Sequence, residues 1–102
     1  MTKQQHLLIK MMEECGEVTQ AASKVLLFGA GDAYKDGVPN TDSLLVEMND
    51  LFTLMAMVQA ELKLDTNDLG FTSVTRTKQK MEKVEKFMGY ARERGILEKE
   101  KS

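Results

Sequence analysis

Residues 40–64, NTDSLLVEMNDLFTLMAMVQAELKL, decide the fold class. Asn40, Thr41 and Asp42 each suit a helix N-cap, and the run that follows predicts a helix to about Leu64. Leu44, Leu45, Met48, Leu51, Phe52, Leu54, Met55, Met57, Val58 and Leu62 cover almost its whole circumference. A helix in a small three-helix unit should be apolar on one stripe only. An all-round apolar helix needs more cover than two neighbours supply, which predicts self-association with this helix central in the assembly. The plainer alternative, a helix merely rich in methionine, leaves a sizeable exposed apolar patch.

On the N-terminal side, Leu8, Met11, Met12, Cys15, Val18, Ala22, Val25 and Leu26 recur at helical spacing from Thr2 to Phe28. Gly29 stands where a helix C-terminal glycine belongs. Gly29 to Asn40, with Gly29, Gly31, Asp32, Asp36, Gly37 and Pro39, predicts an exposed loop. On the C-terminal side, Asp65, Thr66, Asn67, Asp68 and Gly70 form a second break. A third helix is expected from about Thr72 to Arg94, with Val74, Met81, Val84, Met88 and Ala91 on one stripe and Gly95 ending it. No strand-like alternation is visible. The expected fold is all-α: one small helical bundle over residues 1–95, completed by oligomerisation into a homodimer or homotetramer, with a frayed tail at 96–102.

The chain has 102 residues, 42% apolar and 29% charged, the balance of a folded globular domain. A net charge of -2 argues against nucleic acid and membrane surfaces as partners. Even the most apolar run, Leu51 to Val58, is too short and interrupted to span a bilayer. Cys15 is the only cysteine, so no intramolecular disulfide can form. Neither a signal peptide nor a membrane anchor is expected, and a cytoplasmic location follows as the default.

Carboxylates stand out on the apolar second helix. Glu47 is flanked along its face by Leu44, Leu51 and Leu54, and Asp50 by Val46, Leu54 and Met57. A buried carboxylate costs on the order of several kcal/mol unless paired, and two acids three residues apart repel each other. A divalent cation resolves both problems, and magnesium takes oxygen ligands from a few carboxylates while keeping water and phosphate positions. The first helix offers Glu13, Glu14 and Glu17, which can address one side. Gly16 among them costs roughly 1 kcal/mol against alanine and makes sense if a backbone or ligand approaches closely. The plainer alternative leaves Glu13, Glu14 and Glu17 on a solvated face and pairs Glu47 with a lysine of the third helix. It explains one acid well and four together poorly.

Glu13-Glu14-Cys15-Gly16-Glu17 followed by Glu47-Met48-Asn49-Asp50 resembles the acid pattern of the MazG-like all-α nucleoside-triphosphate pyrophosphohydrolases. The stretch between the halves, Val18 to Val46, is at or slightly beyond the long end of that family's spacing. The resemblance implies Glu14, Glu17, Glu47 and Asp50 as ligands of magnesium, with manganese as its substitute, and Glu13 as a helper orienting the attacking water. It implies hydrolysis of a nucleoside triphosphate to its monophosphate and pyrophosphate. It also implies phosphate binding on the third helix by Lys78 and Lys83, with Arg76 and Lys80 as alternates. Arg76, Lys80 and Lys83 fall at i, i+4 and i+7, although a solvated helix face accounts for any one of them equally well.

Tyr34 and Phe28 are candidates for stacking on a base, and His6 reads as structural or solvent-exposed. Cys15 is expected as a small buried hydrophobe. Two other functions are open. One is a non-catalytic helical oligomer that binds a protein through the Met-rich second helix. The other is a related pyrophosphohydrolase acting on a phosphoribosyl-nucleotide.

Overall fold

The structure is a computed structural model that describes residues 1–31, 37–65, 69–70 and 73–100, and the backbone of 33–35. The expected turn formers Asp32, Asp36, Thr66, Asn67 and Asp68, the expected helix start at Thr72, and the Tyr34 side chain lie outside the described residues. The fold is all-α: α1 (Lys3–Phe28), α2 (Asn40–Glu61) and α3 (Val74–Glu93) carry most of the chain. Among the described residues, no helix is long and apolar enough to cross a membrane. The chain divides into two compact units, Met1–Leu64 and Asp65–Ser102.

The first unit is a helical hairpin. Thr2 opens α1 with a capping box: its Oγ1 accepts from the Gln5 amide at 3.1 Å, and Gln5 Oε1 accepts from the Thr2 amide at 2.9 Å. Gly29, at φ 94°, ends the helix and donates its amide to the Val25 carbonyl at 3.0 Å. At one end of the hairpin Lys3 Nζ meets Glu61 Oε2 at 3.2 Å. At the other, Asn40 Nδ2 donates to the Gly29 carbonyl at 3.0 Å and the Thr41 amide to the Ala30 carbonyl at 3.2 Å. These ties join the start of each helix to the end of the other, so α1 and α2 run antiparallel.

The connection between them is not wholly irregular. β1 (Ala33–Lys35) and β2 (Val38–Pro39) form a two-stranded antiparallel ladder pairing Ala33 with Pro39 and Lys35 with Val38. Strands of three and two residues are too short to show the alternation that would reveal them in sequence. Pro39, rather than Asn40 to Asp42, occupies the N-cap position of α2 and makes no side-chain cap bond. Asn40 is instead the first helical residue, buried, with its amide spent on Gly29. α2 stops at Glu61, short of Leu64, because Lys63 takes a left-handed conformation at φ 53°.

The hairpin core is a single seam. Leu7, Met11, Glu14, Val18, Ala21 and Val25 form the buried or half-buried row of α1, at the alternating spacing of three and four that two packed helices require. On α2 the matching row runs through Asn40, Leu44, Glu47, Leu51, Leu54 and Val58. Only Leu7, Ala21 and Val58 are buried apolar residues among those described. Cys15 corrects an expectation: it is exposed, because it lies one helical step, about 100°, past this seam. At Gly16 the expected approach of another backbone is not found. A Cβ there would meet nothing within 4 Å, so no backbone of the described residues approaches it.

The second unit is built around α3. Ser73 caps it, its hydroxyl accepting from the Arg76 amide at 3.3 Å. Gly95, at φ 72°, closes it with Ile96 N–H on the Ala91 carbonyl at 2.9 Å. The expected stripe is only partly sheltered within the chain: Val74, Met81 and Val84 are exposed, and Met88 and Ala91 are half-buried. In the expected tail, Glu100 pairs with Arg92 at 3.1 Å.

Candidate metal centre

The acids sit where an apolar seam should continue. Glu14 falls between Met11 and Val18 on α1, and Glu47 between Leu44 and Leu51 on α2. The antiparallel register brings the middles of the helices together, so the two carboxylates meet across the seam. Asp50, one turn on from Glu47, joins them. One carboxylate oxygen from each of Glu14, Glu47 and Asp50 lies within 4.8 Å of the others, and Glu14 and Glu47 are half-buried.

The Glu47 carboxyl is pushed above its ordinary value of 4.5, first by burial and then by the negative charges of Glu17, Asp50 and Glu14, with Lys24 pulling weakly the other way. Burial and three like charges penalise the ionised form together. The donor set is all oxygen, drawn from two antiparallel helices. Such a set suits a hard divalent cation such as magnesium or manganese and not a soft one.

The sequence-derived residues separate into groups. Glu14, Glu47 and Asp50 come together. Glu17 stands outside that triad but acts on Glu47 as the strongest of its acidic neighbours. Glu17 and Glu47 also line a recess of about 260 Å³ together with Gln20, Ala21, Lys24, Asn40 and Ser43. Glu13 is drawn aside: it is exposed and accepts from Lys10 Nζ at 3.0 Å on its own helix.

The four basic residues belong to the second unit. Arg76, Lys80 and Lys83 line one open surface groove of about 630 Å³. Lys78 lines another, of about 520 Å³, with Glu82 and Glu85. Lys78 is therefore separated from the other three.

Gln20, Lys24, Asn40 and Ser43 were not legible as site residues. Gln20 and Lys24 follow Glu17 at one and two helical turns, which is a usable signal. Asn40 and Ser43 reach the recess only because the hairpin folds back after Gly29. His6 is exposed, as is Phe28. No family model, curated protein or solved structure matches this chain.

Proposed function

We propose that this chain is a magnesium-dependent nucleoside-triphosphate pyrophosphohydrolase, releasing the monophosphate and pyrophosphate. The observation that carries the reading is the replacement of apolar seam residues by Glu14 and Glu47, with Asp50 beside them. Hairpin stability alone does not favour this: removing like charges from a helix interface generally raises stability. Carboxylates kept at such positions point to a ligand, and three oxygens within 4.8 Å match a divalent cation. The acid pattern that resembles the MazG-like family supports the choice of reaction.

Glu14, Glu47 and Asp50 would hold the metal. When bound, the metal supplies charge neutralisation for the triphosphate and a lowered pKa for an attacking water. Glu17 adds a fourth carboxylate at the wall of the recess. Gln20, Asn40 and Ser43 give that recess amide and hydroxyl groups, and Lys24 brings a positive charge suited to phosphate oxygens. Glu13, engaged by Lys10, is a weaker candidate for orienting water than Glu17. The assignment of substrate phosphates to Lys78 and Lys83, or to Arg76 and Lys80, rests on the resemblance.

The test is pyrophosphate release from ribo- and deoxynucleoside triphosphates and a phosphoribosyl-nucleotide, with and without magnesium. Release that needs magnesium and falls at least about 100-fold in Glu47→Gln is the expected outcome, since even residues that only support a metal ligand cost 10- to 100-fold. The panel names the substrate. Release that is indifferent to both magnesium and Glu47 would refute the reading.

A further inference from the structure

The recess beside the acids is walled by two short strips, one from each helix of the hairpin. Glu17, Gln20 and Lys24 follow one another a turn apart along α1, and Asn40, Ser43 and Glu47 do the same along α2. The antiparallel register sets Glu47 at the Glu17 end and Asn40 at the Lys24 end. Asn40 and Glu47 are seven residues apart, a rise of about 10 Å, so Asn40 closes the recess at the end away from the acids.

Asn40 is costly for its place. It heads the buried row of α2 and is 2% exposed, where an apolar side chain would pack with no polar group to satisfy. A buried amide is tolerated only when bonded, and Nδ2 donates to the Gly29 carbonyl at 3.0 Å. That bond spans 11 residues of chain and ends on the residue that closes α1. The Thr41 amide repeats the tie one residue on, donating to the Ala30 carbonyl at 3.2 Å. Pro39, at the N-cap position, gives α2 no side-chain cap bond. The first turn of α2, which carries Ser43 into the recess, is therefore fastened to the end of α1 and not by a cap of its own.

We infer that Asn40 is a positioning residue, which holds the first turn of α2 against the end of α1 and so fixes the far wall of the recess before substrate arrives. With its Nδ2 bonded to Gly29, its part is placement: it acts through Ser43 and through the spacing of that wall from Gln20 and Lys24. A wall already in place spares the ligand the entropy of ordering it, so the effect falls on substrate binding. The metal acids are untouched, because Glu47 stands two turns further along α2. The inference rests on the reading of this recess as part of the substrate site of a metal-dependent hydrolase.

The test is steady-state pyrophosphate release by full-length Asn40→Ala, at a temperature where circular dichroism shows variant and wild type equally helical. KM for the triphosphate cleaved fastest should rise about tenfold, the scale of one lost buried hydrogen bond, and by more than kcat falls. The magnesium dependence should stay within about twofold of wild type, since the acids keep their places. An unchanged KM with only a lower Tm overturns the inference, and so does a change in kcat larger than that in KM. A wild type with no magnesium-dependent release overturns the hydrolase reading and this inference with it. An active wild type beside a variant of unchanged KM overturns this inference alone. If Asn40→Ala does not fold, hydrogen exchange of the wild type decides. The Leu44 and Leu45 amides bond back into the first turn of α2, and a bound non-hydrolysable triphosphate analogue with magnesium should slow their exchange by less than about threefold. Greater slowing would show that the ligand builds the wall, and overturns the inference.

Discussion

Replacing Glu47 with glutamine should stabilise the metal-free protein and remove most of its response to magnesium. The carboxylate oxygens of Glu14, Glu47 and Asp50 lie within 4.8 Å of one another. Two unit charges at that distance repel by about 0.9 kcal/mol in a water-like dielectric and by more in a protein-like one. Glu47 takes part in two such pairs and sits at a solvent-open cleft, so the lower figure applies. Screening at physiological salt removes roughly half of it.

Glutamine should therefore gain about 1 kcal/mol, trimmed slightly by the lost attraction to Lys24. For a domain of this size that raises Tm by roughly 4–8 °C. Magnesium at a hundred times its Kd should raise wild-type stability by about 2.7 kcal/mol, and the variant by much less. The order of the two proteins thus reverses on adding metal. Thermal and urea unfolding, in EDTA and in magnesium, measure both effects. A variant less stable than wild type in EDTA, or an equal magnesium shift in the two proteins, would refute the reasoning.

The other expectations follow from the same geometry. In EDTA, wild-type stability should fall as pH rises through the elevated Glu47 pKa, because the folded protein holds that proton more tightly than the unfolded chain. The contribution is complete below 4.5, and Glu47→Gln should flatten the profile in urea titrations between pH 4 and 7. Gly16→Ala should stabilise α1 by about 1 kcal/mol with activity unchanged, since open space surrounds that position. A loss of activity would show instead that substrate approaches Gly16. Ser73→Ala should cost about 1 kcal/mol by removing the N-cap of α3, read as lost helicity on heating. Glu13→Gln should change pyrophosphate release less than tenfold and stability by under about 0.5 kcal/mol, because its pair with Lys10 is exposed.

Helix number was legible because the ends carry chemical markers. Gly29 and Gly95 end their helices where such residues usually do, whereas the caps at Thr2 with Gln5 and at Ser73 were not read from the sequence. The end of α2 was not legible, since Lys63 adopts a left-handed conformation with no glycine to announce it. Cys15 was misplaced for a different reason. Apolar residues occupy two adjacent rows of α1, and periodicity alone cannot say which row meets a neighbour; only the α2 contact selects Leu7–Met11–Val18–Ala21. Among the acids, Glu14, Glu47 and Asp50 were readable from spacing, and it took the antiparallel register to separate Glu13 from them. The polar groups of the recess, Asn40 and Ser43 in particular, look in sequence like ordinary helix-start residues.

The seam occupied by Glu14 and Glu47 also marks where this hairpin has headroom. Filling both positions with leucine would continue the row from Met11 to Val18 and from Leu44 to Leu51, trading repulsion for close packing. A selection that rewarded only heat resistance would be expected to make those two changes early. Their absence marks the centre of the hairpin as a place where stability has been given up for some other return, and screening libraries for thermotolerance alone would erase that trace first.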